Sequence, residues 1–158
     1  MSEATPSADL GILLTLALRS FVDRLHNGLD DAGFEDVRPA FGVVFRALKD
    51  GPLTLTELAG QLGVSKQAAA KVVSEMEAKS LLFRAPSGSD GRAKELALTD
   101  RGRRAMATAV SIGGSIEASL RTAAGPETVS VMRHGLEVFV EQAGDSDDLA
   151  RRRSRALW

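Results

Sequence analysis

Lys66, Gln67, Ala70, Lys71 and Ser74 gather ammonium, amide and hydroxyl donors within nine consecutive residues. Projected at the helical step of about 100° per residue, they fall on one face. The small Ala70 sits in its middle, and the only carboxylates of the stretch, Glu75 and Glu77, lie toward its C-terminal end. A face of this composition can enter a major groove, approach closely at the alanine, and offer donors to base edges and phosphates. Gln67, Lys71 and Ser74 are then the candidates for base or groove-edge contacts. Thr54, Ser65 and Lys66 are the candidates for holding phosphate. An ordinary amphipathic helix with a solvated face would share much of this pattern, so the neighbouring segments decide.

On the opposite side of the same helix, Ala69, Val72, Val73 and Met76 form an apolar stripe that can seat on a small core. Upstream, T-L-T-E-L-A-G-Q-L-G-V covers residues 54–64. Thr54 followed by Glu57 predicts a capping box, and Leu55, Leu58, Ala59 and Leu62 predict a short helix with its apolar side inward. Gly63 is suited to the left-handed conformation that ends a helix, and Ser65 to capping the next one. Two helices joined by so short a turn make a helix-turn-helix, the second helix being the one that reads the groove.

Downstream, residues 81–99 read as a hairpin with a Ser/Gly-rich tip. A hairpin directly after a recognition helix is a wing. Arg92 at its tip is suited to a narrow minor groove, where negative potential is strongest, and Asp90 can pair with the guanidinium and aim it. Arg84 and Lys94, on the two sides of the hairpin, complete the DNA-binding set.

These segments resemble the MarR family of bacterial and archaeal transcription regulators. The resemblance rests on L-T-E-L-A, G-V-S-K-Q-A, V-x-x-M-E-A-K-S-L-L-x-R and the wing D-G-R-A-K-E-L-A-L-T-D-R-G, between Leu53 and Gly102. The last corresponds to the family's D-x-R followed by a leucine-threonine-glycine ending. Together they span about a third of the chain. Where the family often opens its second helix with Thr-Pro, this chain has Arg38-Pro39, a poorer cap.

The rest of the chain must position this module. With 158 residues, 44% of them hydrophobic, it is long enough for one compact domain. The absence of cysteine excludes disulfides and thiolate metal sites, and His26 and His134 are its only histidines. Residues 1–8 read as a disordered leader without a basic start, hence no signal peptide. The apolar run from Leu10 to Leu18 is too short to span a bilayer, so the expectation is a cytoplasmic protein without membrane contact. The net charge is −1, but residues 63–104 hold nine Lys/Arg against five Asp/Glu, a net of +4 that leaves −5 for the remainder. Phosphate attraction is thereby confined to the module that would dock on duplex DNA.

Helical periodicity marks Asp9–Asp31, a second helix opened by Pro39 and carrying Phe41, Val44, Phe45 and Leu48, a long helix from Asp100 to about Thr122, and a last one over Glu127–Ala143. Gly113-Gly114 either kinks the long helix or permits close helix contact. The expected class is mainly α, an α+β winged helix: residues 9–50 and 100–143 form helical arms around a winged helix at 51–99, in one domain over 9–143. A tail at 144–158 carries four arginines and ends on Trp158. The arms have more apolar surface than the module can cover. Either they interleave with a second copy as a homodimer, presenting two recognition helices to one duplex, or they pack on each other. The resemblance favours the homodimer.

The expected function is a sequence-specific regulator acting on pseudo-palindromic operators, a repressor whose affinity falls when a ligand binds. In proteins of this resemblance, small aromatic or anionic molecules sit where the arms meet the winged helix. The corresponding candidates here are Phe21, His26, Phe41, Phe45 and Arg46. No nucleophile–base pair, phosphate loop or metal-ligand spacing is evident, so neither enzymatic activity nor a cofactor is expected. A winged helix used for protein–protein contact, or a regulator without a small-molecule ligand, is the alternative.

Overall fold

The computed structural model describes residues 9–86 and 94–144. The leader, the tip of the wing and the tail, with Trp158, lie outside these described residues. Asp9 accepts a hydrogen bond from the backbone N–H of Ile12 at 2.9 Å and so caps α1, Leu10–Asp31. Helix α2, Pro39–Ala47, starts on a proline, whose missing N–H costs nothing at that position. Its N-cap, Arg38, makes no side-chain capping bond, consistent with the poorer cap expected there.

Strand β1 comprises only Leu53–Thr54. It is followed by α3, Leu55–Leu62, and α4, Lys66–Ala78. Strands β2, Leu82–Pro86, and β3, Lys94–Leu98, form the wing. The long helix α5, Asp100–Ala124, runs unbroken through Gly113 and Gly114, and α6, Pro126–Gln142, follows Gly125. The sheet has the order β1-β3-β2 and is antiparallel throughout, with Leu53 opposite Leu96, and Arg84 likewise opposite Leu96 on the other edge. The hairpin was foreseeable from the sequence, but β1 was not, because two residues carry no readable alternation.

The core lies at one end of the molecule. Phe41, Val44, Leu58, Val73, Met76, Leu81 and Leu96 are fully buried, drawn from α2, α3, α4 and the sheet. The arms contribute little to it: Leu29 is the buried residue of α1, Val129 that of α6, and Gly102 and Ala105 those of α5. Elsewhere on the arms, Leu13, Leu16, Val110, Val131 and Phe139 each stand at least half exposed within the single chain. Part of the apolar surface expected on the arms is therefore left uncovered by the chain itself. Where α1 does pack on α5 the fit is close, since a Cβ on Gly28 would stand 3.0 Å from Ile112.

Candidate nucleic-acid interface

The interface begins with the turn between α3 and α4. Thr54 and Glu57 form the complete capping box: the Thr54 N–H donates to the Glu57 carboxylate at 2.8 Å, and the Glu57 N–H donates to the Thr54 hydroxyl at 3.2 Å. These bonds to Thr54 hold the Glu57 carboxyl below its ordinary range. Gly63 takes φ 65° and ψ 30°, the left-handed conformation that reverses the chain. Ser65 accepts from the Ala68 N–H at 3.1 Å, so its own hydroxyl proton can point outward.

Helix α4 then divides as the projection requires. Ala69, Val72, Val73 and Met76 are buried, whereas Lys66, Gln67, Lys71 and Ser74 are exposed and Ala70 is half-buried between them. The donor face is on the outside because the opposite face is fixed in the core. Burying four apolar side chains holds that orientation with several kcal/mol, at about 1.5–3 kcal/mol for each large side chain.

Thr54 fills the capping role expected from its spacing to Glu57. It is half-buried, and its hydroxyl donates to Glu57 at 2.8 Å within the cap. Its first task is to start α3. Arg84, expected in the DNA-binding set, is paired within the chain. Its guanidinium engages Glu77 through two bonds, Nε to Oε1 at 3.0 Å and Nη2 to Oε2 at 3.2 Å, the forked geometry that suits a carboxylate. Lys94 is exposed at the start of β3, opposite Pro86. Asp90 and Arg92 lie outside the described residues.

At about 100° per residue, Glu75 and Glu77 stand on the two flanks of the donor face, roughly 80° to either side of Gln67. Each is held by an arginine from a different element. Arg38, at the start of α2, forms an ion pair with Glu75 and lies over the Phe41 ring, 5.4 Å from its centroid. Arg84 of β2 holds Glu77. Both partners are distant enough in sequence that spacing alone did not reveal them.

The C-terminal end of α4 is seated in the start of α5. Ser80 adopts φ 56°, turning the chain out of the helix. Thr99 donates its hydroxyl to the Ser80 carbonyl at 2.6 Å while accepting the Gly102 N–H at 3.0 Å. Arg101 donates to the Lys79 carbonyl at 3.0 Å and to Asp36 at 2.8 Å, and stacks over Phe34 at 5.6 Å. The Arg101 guanidinium beside Asp36 lowers the pKa of that carboxyl. The L-T-D-R-G run is thus a socket that fixes the recognition helix against the arm.

The five ligand candidates are not brought into one site. Phe41 and Phe45 are 0% and 3% exposed and belong to the core, so they are not the walls of an open cavity. Phe21 lines a separate apolar hollow of about 360 Å³ between α1, α5 and α6, together with Leu120, Met132 and Leu136. His26 is half-buried on α1, and Arg46 is exposed on α2.

Two helices joined by a left-handed glycine, followed by a two-stranded wing whose sheet β1 completes, define a winged helix-turn-helix. A sequence model of the MarR family matches residues 42–93, from within α2 to the residue before β3. Over that stretch the chain is similar to the MarR family. Solved structures of similar fold include FabT of Streptococcus pneumoniae in complex with DNA, at 19% identity, 86% of this chain, 96% of that one and a TM-score of 0.75. The transcriptional repressor CouR, bound to a 23-mer DNA duplex, is similar at 24% identity, 88% and 99% coverage and a TM-score of 0.69. MarR of E. coli in its apo form is similar at 19% identity, 84% and 98% coverage and 0.63. At these identities the likeness is one of fold. No curated protein sequence matches the chain significantly.

Proposed function

We propose that the protein is a transcription regulator that binds duplex DNA sequence-specifically, as a homodimer on pseudo-palindromic operators. The observation that carries this is the outward donor face of α4, held opposite its buried stripe and beside the wing. The fold shared with DNA-bound FabT and CouR supports it. Gln67, Lys71 and Ser74 read base edges, Lys66 and Ser65 hold phosphate, and Lys94 adds charge on the wing. Arg92, aimed by Asp90, enters the minor groove.

The homodimer reading rests on the apolar arm residues that the single chain leaves exposed. Isologous pairing of two such arms buries them and sets two recognition helices about one helical turn apart. The protein acts in the cytoplasm and as a repressor rather than an enzyme; among the described residues no helix is long and apolar enough to cross a membrane. Release by a small aromatic or anionic ligand is the part of the reading that rests on family resemblance alone.

Selection of duplexes from a random-sequence pool tests the central reading. Recovery of a two-fold symmetric sequence, bound with an affinity that falls steeply between low and physiological salt, is the expected result. Recovery of no sequence, or salt-independent binding, would overturn it. Titrating phenolic and small aromatic acids against the preformed complex, in the wild type and in Arg46→Ala, tests the ligand reading separately.

A further inference from the structure

The geometry points to Arg84 and Arg38 as positioning residues for DNA reading, acting through Glu77 and Glu75 rather than on phosphate. This rests on the proposed DNA-binding function. Cations this close to a recognition helix would ordinarily be counted as phosphate contacts, and Arg84 has the sequence position of one. The structure places both differently.

Arg84 and Glu77 each keep only about a third of their side-chain surface, 32% and 30%. Their two hydrogen bonds are parallel and forked, so the pair resists rotation as well as separation. Arg84 starts from β2 and Glu77 from the last turns of α4, so the pair ties the recognition helix to the wing. On the other flank, Arg38 ties the same helix to the beginning of α2. Glu75 and Glu77 are two residues apart and point to opposite sides of the helix. The core stripe sets the depth of the helix and its coarse orientation, and two lateral ties narrow the residual roll of the helix about its own axis. Roll decides whether Gln67, Lys71 and Ser74 meet their base edges, and side chains on a helix face shift together when it changes.

The two roles give opposite results for Glu77. If Arg84 holds phosphate, Glu77→Gln removes a competing carboxylate and binding tightens or is unchanged. If Arg84 positions the helix, Glu77→Gln weakens binding to the selected duplex and does little to a scrambled duplex. The experiment measures affinity of full-length wild type, Glu77→Gln, Arg84→Ala and the double variant for both duplexes, across a salt series. Thermal unfolding of each variant checks that it is folded. The preference for the selected over the scrambled duplex should fall roughly tenfold in each single variant, about the loss of one charge-assisted hydrogen bond, and no further in the double variant. The slope of log affinity against log salt should stay that of the wild type, because no phosphate contact is lost.

Arg38→Ala should reduce the same preference with the same unchanged slope. Tighter binding by Glu77→Gln, together with a slope reduced by about one in Arg84→Ala, would overturn the proposal and make Arg84 a phosphate contact. A wild type that selects no duplex would instead overturn the functional reading, and the positioning role with it.

Discussion

Gly102, in the first turn of α5, lies directly on the backbone carbonyl of Leu81: a Cβ at Gly102 would stand 1.9 Å from that oxygen. The same carbonyl accepts the Thr99 N–H at 3.1 Å, so it is not at liberty to move aside. Glycine is required here by a neighbour's backbone, with its own backbone in ordinary helical conformation. The position joins the exit of the recognition helix to the arm, and substitution should loosen both.

Gly102→Ala is accordingly expected to lower unfolding free energy by about 3 kcal/mol or more, the upper range for overpacking a site that cannot relax. Gly60→Ala, on the open side of α3 with nothing within 4 Å of the added carbon, should be neutral or stabilising by up to about 1 kcal/mol through helix propensity. Urea unfolding of the two variants gives the comparison. Equal effects would remove the special status of Gly102.

Lys71→Ala and Gln67→Ala should each cost about 1–3 kcal/mol of operator binding and alter base preference at particular positions. Lys66→Ala should weaken all duplexes alike and reduce the salt slope by about one. Competition among single-base variants of the selected duplex distinguishes the two patterns.

Asp36 makes stability depend on acid in a defined direction. Arg101 holds its carboxyl below the ordinary value, so the pair's contribution is fully present above the unfolded carboxylate pKa of about 4 and is lost as pH falls through the lowered folded value. The wild type should therefore lose its advantage over Asp36→Asn as pH drops below about 4, with the two variants converging. Asp100, lowered first by its bond to Arg103, and Glu117, lowered first by its bond to Arg121, add to the acid loss in both proteins and cancel in the comparison. Parallel stability curves between pH 7 and 3 would show that the Asp36–Arg101 pair contributes nothing.

The arms give a fourth prediction. Leu16→Asp and Phe139→Asp place carboxylates on apolar surface that is 55% exposed in the single chain at each position. They should leave the winged helix folded, shift the sedimenting species from dimer to monomer, and weaken operator binding more than tenfold as the second half-site is lost. A monomeric wild type would remove the homodimer from the reading.

Much of the winged helix could be read from the sequence because local rules agree there. The Thr54–Glu57 box, the left-handed Gly63, the Ser65 cap and the Ala69–Met76 stripe are each set by residues within a few positions of one another. The ion pairs were not legible. Asp36 and Arg101 are 65 residues apart, and neither Arg38–Glu75 nor Arg84–Glu77 belongs to a regular spacing. The ligand candidates show a different limit. Phe41 and Phe45 have the same aromatic character in a cavity wall as in a core, and only the packing of α2 against α3 and α4 assigns them to the core.

The division between a packed module and bare arms also bears on the order in which the chain is made. Helix α1 is made before α5, the helix it packs against through Gly28 and Ile112, which begins about 70 residues later. At about 5–20 residues per second, α1 waits roughly 4–14 s for α5, and Leu10, Leu13 and Leu16 stay exposed even once it is in place. Most of the winged-helix core precedes α5 in the chain; Ala105 is its buried residue from that helix, with Met106, Ala109 and Ile112 packed against it. Until α5 is made, α1 lacks the partner that Ile112 provides, and its apolar side stays open during synthesis.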